Sequence, residues 1–156
     1  MTPVECLEAA ARLEVLAKDV YSALAIRYGD RPDLLEVFSG LAREEEQHAN
    51  RVRALAQHQT NQDLSGAVLA RLTRTLEAVE AELVALMEVG ADGRAVDAPD
   101  EILRRLIDFE RRSASIHAEY LAQDFAPGMQ SLFSALARQD RDHVELLKQA
   151  MSARAG

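Results

Sequence analysis

The chain has 156 residues, which suits a single domain, 1–156, around one sizeable core. Close to half of the residues are apolar, aromatics are few, and Ala and Leu dominate among frequent charges, a mix of helix formers that excludes a sheet protein. The formal net charge is −8 with no Lys/Arg run beyond isolated pairs, which argues against a nucleic-acid partner and against an anionic membrane surface.

Four prolines and seven glycines punctuate the chain, so its elements should be few and long. The start, Met1 to Glu8, has neither the basic nor the apolar stretch of a signal peptide, and no apolar run reaches membrane-spanning length. Cys6 is the single cysteine, which excludes an intrachain disulfide, a four-cysteine metal site and an iron–sulfur cluster. It reads as a packing or surface residue, and a reducing, cytoplasmic setting is expected.

A first helix is expected over 3–28, ended by Gly29-Asp30-Arg31-Pro32-Asp33. Pro32 suits the first turn of the next helix, with Asp30 or Asp33 as its cap. A second helix follows over 33–58 and ends in the polar stretch from His58 to Gly66, His58 itself being exposed. In the third, 64–89, Leu69, Leu72, Leu76, Val79, Leu83 and Leu86 alternate steps of three and four, a narrow seam suited to packing along another helix. Two readings fit it: a crossover helix lying on its own bundle, or the contact of a homodimer. After the loop Gly90 to Pro99, helices are expected over 99–124 and 128–153, joined at Phe125-Ala126-Pro127-Gly128.

The second half of the chain repeats the first. One displacement lays Phe38-Ser39 on Phe133-Ser134, Leu41-Ala42-Arg43 on Leu136-Ala137-Arg138, Glu45 on Asp140, His48 on His143 and Pro32 on Pro127. Two antiparallel helical hairpins joined by a long crossover produce this pattern, so the fold class is all-α, an antiparallel four-helix bundle with an extra helix in the connection.

Glu45-Glu46-Gln47-His48 and Asp140-Arg141-Asp142-His143 each set a carboxylate three residues before a histidine, on one helix face, where both can converge on one ion. Such a motif is weak alone; two copies at matching places of a repeat carry weight. The midpoint of Glu14 and Glu45 falls on Gly29-Asp30, and that of Glu110 and Asp140 on Phe125. Each pair therefore stands roughly 22 Å from its turn at about 1.5 Å per residue, and the four acids can meet in one layer of the bundle. Glu14 and Glu110 lie among apolar neighbours, where a carboxylate without a partner is costly and a cation is physically reasonable. Glu119 falls about 14 Å closer to the turn, and Asp108 points to another face. Glu44 and Glu46 read as solvated, as do Glu8, Glu77, Glu80, Glu82, Glu88 and Glu101.

Tyr21 and His117 each follow an acid, Glu14 or Glu110, by two helical turns and should point into the bundle near the site. Each reads as a core ring with its polar tip satisfied, or as a hydrogen-bonding partner behind a ligating carboxylate. His117 has direct metal ligation as a third reading.

This constellation resembles the ferritin-like di-iron carboxylate proteins, in their rubrerythrin-like branch. The ligand logic of that superfamily is a Glu from each of two helices and a Glu-x-x-His from each of two others. The matching residues are Glu14, Glu45 with His48, Glu110, and Asp140 with His143. Glu14-x-x-Ala17-x-x-x-Tyr21-x-x-x-Ala25 and Leu41-Ala42-Arg43-Glu44-Glu45-Glu46-Gln47-His48-Ala49 are similar to the first rubrerythrin hairpin. There are three departures. Asp140 replaces the usual Glu, Ser113 stands where rubrerythrins carry a further Glu associated with iron movement and peroxide chemistry, and no Cys-x-x-Cys pair supplies a rubredoxin module.

The resemblance implies two iron ions, with manganese or zinc able to compete for the same donors. It implies an oxidoreductase that reduces peroxide or oxygen with electrons from an external donor. Glu45 and Asp140, or Glu14 and Glu110, can bridge the ions, and no catalytic residue is assigned. The alternatives are iron handling or storage without turnover, and a helical interaction module whose surface is the seam.

Overall fold

The computed structural model describes residues 2–58, 66–91, 99–121 and 127–155, which are helical throughout apart from short caps and turns, with no strand among the described residues. The loop at 92–98 and the turn at 125–126 lie outside them, as do the side chains of Cys6, Leu69, Leu72, Glu88 and Glu119.

Helix α1, Pro3–Arg27, begins with a reciprocal cap. The Thr2 hydroxyl accepts from the Glu5 N–H at 3.2 Å, and the Glu5 carboxylate accepts from the Thr2 N–H at 2.5 Å. It ends where the Tyr28 N–H bonds the Leu24 carbonyl at 2.9 Å and the Gly29 N–H turns to the Ile26 carbonyl at 3.3 Å. A Cβ at Gly29 would stand 3.2 Å from that same carbonyl oxygen, so this turn is tight enough to favour glycine. Helix α2, Pro32–Ala56, starts with Pro32 as expected, but its cap residue is Arg31, which makes no side-chain cap bond. Neither Asp30 nor Asp33 is the cap. Asp33 lies in the first turn, where its charge meets the positive end of the helix dipole.

Helices α3, Gly66–Ala91, α4, Pro99–Ser115, and α5, Pro127–Ala155, complete the fold. The residues after Ser115 continue α4 as a π-helical stretch, Ile116–Leu121. Wide turns of this kind gather at functional sites, and this one carries His117.

α1 packs against α2 and α4 against α5, and the two hairpins meet along α2 and α5. No Cα of α1 lies within 8 Å of one in α4 among the described residues; α3 lies against both instead. The described part of the leucine seam, Leu76, Val79, Leu83 and Leu86, is buried there. In those four residues the seam packs on its own bundle. Arg112 of α4 ties α3 down through a hydrogen bond to Glu82.

The repeat persists in the core. Tyr21 stacks on Phe38 at 6.3 Å between ring centroids, and His117 stacks on Phe133 at 5.8 Å, both pairs inclined by 24°. Leu34, Leu41, Leu103, Leu106 and Leu136 belong to the same buried core and have no exposed surface. No helix among the described residues is long and apolar enough to cross a membrane.

Candidate metal centre

The buried polar and charged side chains among the described residues are Glu14, Glu45, His48, Glu110, His117, Asp140 and His143. A helix can present a charge inward only if the bundle supplies a partner, because an isolated buried carboxylate is strongly disfavoured. Here four carboxylates and three imidazoles supply one another across α1, α2, α4 and α5, in one layer of the bundle.

Their geometry forms two triads that share one residue. Nδ1 of His48 stands 3.4 Å from Oε2 of Glu14 and 3.2 Å from Oε2 of Glu45. Nδ1 of His143 stands 3.1 Å from Oε1 of Glu45 and 3.4 Å from Oε2 of Glu110. Glu45 therefore turns a different oxygen to each histidine, and the two rings lie nearly parallel with centroids 5.5 Å apart. Both triads are compact enough to close on an ion, their donor atoms lying within 4.8 Å of one another.

The residues fit a metal. Oε1 of Glu45, Oε2 of Glu110 and Nδ1 of His143 are buried without a hydrogen-bond partner, although the nitrogen stands 3.1 and 3.4 Å from the two oxygens. An ion about 2.1 Å from two donors at ordinary tetrahedral or octahedral angles holds those donors about 3.0–3.4 Å apart. The two nitrogen–oxygen spacings match that value, and a cation is what would satisfy lone pairs aimed at each other.

Around the triads lie the groups that hold them. The Tyr21 hydroxyl donates to Oε1 of Glu110, and Nε2 of His117 stands 3.1 Å from Oε1 of Glu14. Each hairpin thus braces the carboxylate of the other. Nδ1 of His117 is 2.6 Å from Oδ2 of Asp140. Asp140 joins the buried cluster but neither triad; its side chain is one methylene shorter than that of Glu45, and its oxygen is taken by His117. Glu44 departs from the solvated role expected of it. Its side chain is half exposed, yet its Oε2 lies 2.8 Å from Nε2 of His143. Glu46 lines the groove between α1 and α2 instead. The two flank Glu45 evenly in sequence, and only the identity of the helix on each side separates them.

A cavity of about 10 Å³ borders the cluster, lined by Glu14, Glu45, Glu110, Asp140, Ser113 and Leu76 among others. That is near the lower limit for one water molecule. Leu76 brings α3 to this wall, on the side where α1 and α4 do not meet.

Without a cation the cluster holds protons. Burial pushes the Glu45 carboxyl up to about 8, helped by repulsion from Glu110 and Glu14. Glu110 is likewise raised, first by burial. Burial alone would lower His48, but its bonds to Glu14 and Glu45 lift it to about 10; in the same way Glu110 and Glu45 lift His143 to about 12. His117 is held well above the usual imidazole range by Asp140 and Glu14, against its burial. Glu14 is pulled below the carboxylate range because its bonds to His117 and His48 outweigh its burial.

A family model described as Rubrerythrin matches residues 5–92, more than half of the chain. The match includes Glu14, Glu45 and His48 and ends before Glu110, Asp140 and His143, which the repeat and the geometry add. Searches of curated proteins and of solved structures gave no match.

Proposed function

The chain belongs to the rubrerythrin family, and from that premise we propose that it holds a pair of metal ions, iron in the first instance, and reduces peroxide or oxygen with electrons from an external donor. The observation that carries this reading is Glu45, whose two oxygens face two different histidines, Oε2 bonded to His48 and Oε1 left buried and unpaired with the donors of Glu110 and His143. Glu14, Glu45 and His48 would hold one ion and Glu45, Glu110 and His143 the other. Asp140 is the fourth carboxylate of the cluster, on the same cavity.

A bound iron pair supplies two electrons to an oxidant that a mononuclear site would have to deliver singly. The chain's own part is to fix the donors and limit access. Tyr21 and His117 orient Glu110 and Glu14, and Leu76 and Phe109 narrow the approach to a cavity beside Ser113 no larger than a single water molecule needs.

Iron handling without turnover is the second reading, favoured by Ser113. The residue on the cavity wall is a hydroxyl that offers no acid to the oxidant. One experiment addresses both. Anaerobic reconstitution with ferrous iron is expected to give two irons per chain, with one of them lost in His48→Ala and the other in His143→Ala. Repeated peroxide consumption with a chemical reductant supports the oxidoreductase; a single stoichiometric oxidation supports handling; retention of no iron removes both readings.

A further inference from the structure

We propose that Glu44 is a positioning residue that makes the two metal positions unequal, so that the position of Glu45, Glu110 and His143 fills before that of Glu14, Glu45 and His48. This rests on the metal-centre reading above. His143 turns Nδ1 to the triad and Nε2 to Glu44, whose Oε2 is 2.8 Å away. A carboxylate on the far nitrogen keeps the proton there, leaves the near lone pair free for an ion and raises its donor strength.

The repeat provides an internal control. The residue before Asp140 on α5 is Gln139, the counterpart of Glu44 on α2. It carries no charge, and its Oε1 accepts from Nη1 of Arg51 at 3.0 Å. Nε2 of His48 is buried and has no hydrogen-bond partner among the described residues. The two rings are parallel within 12°, equally buried, and each has two carboxylate oxygens within 3.4 Å of its Nδ1, although only His48 hydrogen-bonds one of them, Oε2 of Glu45. One half of the centre has an anion behind its imidazole. The other has an amide already engaged by a cation.

Removing the outer partner of a metal-bound histidine typically changes affinity by about 10- to 100-fold. The two positions should differ by about tenfold or more for that reason. The probe is Co(II), titrated anaerobically into the metal-free full chain and followed by visible absorption and calorimetry. Two resolved steps are expected in the wild type. His143→Ala should remove the tighter step and His48→Ala the weaker. Glu44→Ala, at a half-exposed site that does not threaten folding, should weaken the tighter step until the two merge, with Glu44→Gln falling between. Gln139→Glu should narrow the gap from the other side by strengthening the weaker step. Two steps that Glu44→Ala leaves unchanged or weakens equally would overturn this inference and leave the metal centre standing. Failure of the wild type to bind Co(II) would overturn both.

Discussion

Set side by side, the hairpin of α1 and α2 and the hairpin of α4 and α5 present equivalent positions and fill them with different chemistry. Tyr21 stands where the other has His117, Glu45 where it has Asp140, and Glu44 where it has Gln139. The repeat governs where each Cβ points, since the pairs Tyr21–Phe38 and His117–Phe133 stack at the same inclination. Side-chain length and charge then decide what is reached. Glu45 spans both histidines, whereas Asp140, shorter and paired to His117, touches neither. A symmetric frame has yielded a site with one shared carboxylate.

The largest break in that comparison comes from removing the shared residue. Glu45→Gln keeps the shape but presents an NH₂ to one of the two histidines, and it deprives both triads of their common anion. Metal content after desalting should fall from two ions to none, while Glu14→Gln, which touches only the His48 triad, should leave one. A Glu45→Gln protein that retains two ions would show that the sharing seen in the geometry has no part in binding.

Smaller, and spread over both hairpins, is the effect of loading. Ligands that bind only the folded state add about 4 kcal/mol at a thousand times their Kd, roughly ten degrees of melting temperature for a chain of this size. The effect should grow with pH. His48 and His143 have folded pKa values of about 10 and about 12, above their unfolded value, and Glu45 about 8. Stability from such raised groups is complete below the unfolded pKa and is lost as pH climbs to the folded one. The metal-free protein should therefore melt at lower temperature as pH rises from 7 to 10. The loaded protein, its protons already expelled, should not. Calorimetry in buffers of different ionisation enthalpy checks the expulsion directly, and a melting temperature of the metal-free form that is flat over that range would contradict it.

How much of this was legible in the sequence follows the same division. Periodicity and turn residues gave the five helices, because an apolar stripe and a Gly-Asp-Arg-Pro turn act locally. The repeat and the turn midpoints brought Glu14, Glu45, His48, Glu110, Asp140 and His143 to one layer, since helical rise is uniform. Three things were out of reach. Glu44 could be told from Glu46 only by knowing that α5 lies on one side of α2 and α1 on the other. The π-helical stretch at Ile116 leaves no mark in the hydrophobic pattern. The pairing of His117 with Asp140 depends on a difference of one methylene, which spacing along a chain cannot measure.

That pairing is the finest test of the difference between hairpins. If Asp140 serves His117 more than it serves an ion, Asp140→Asn should differ in kind from Glu45→Gln. Two effects oppose each other in the metal-free protein. Losing the charge weakens the 2.6 Å bond to His117, worth about 1.5–3 kcal/mol when one partner is ionised. It also relieves the repulsion that Asp140 exerts on Glu110. The bond is direct and buried, whereas the repulsion acts without contact, so a net loss of about 1–2 kcal/mol is expected, part of the bond surviving through the amide oxygen. The metal count should stay at two. Denaturant unfolding of the metal-free variant and metal analysis of the loaded one read the two halves of this prediction separately. A lost ion would make Asp140 the functional equal of Glu45 despite its length, and the symmetry of the repeat would then extend from the backbone to the chemistry.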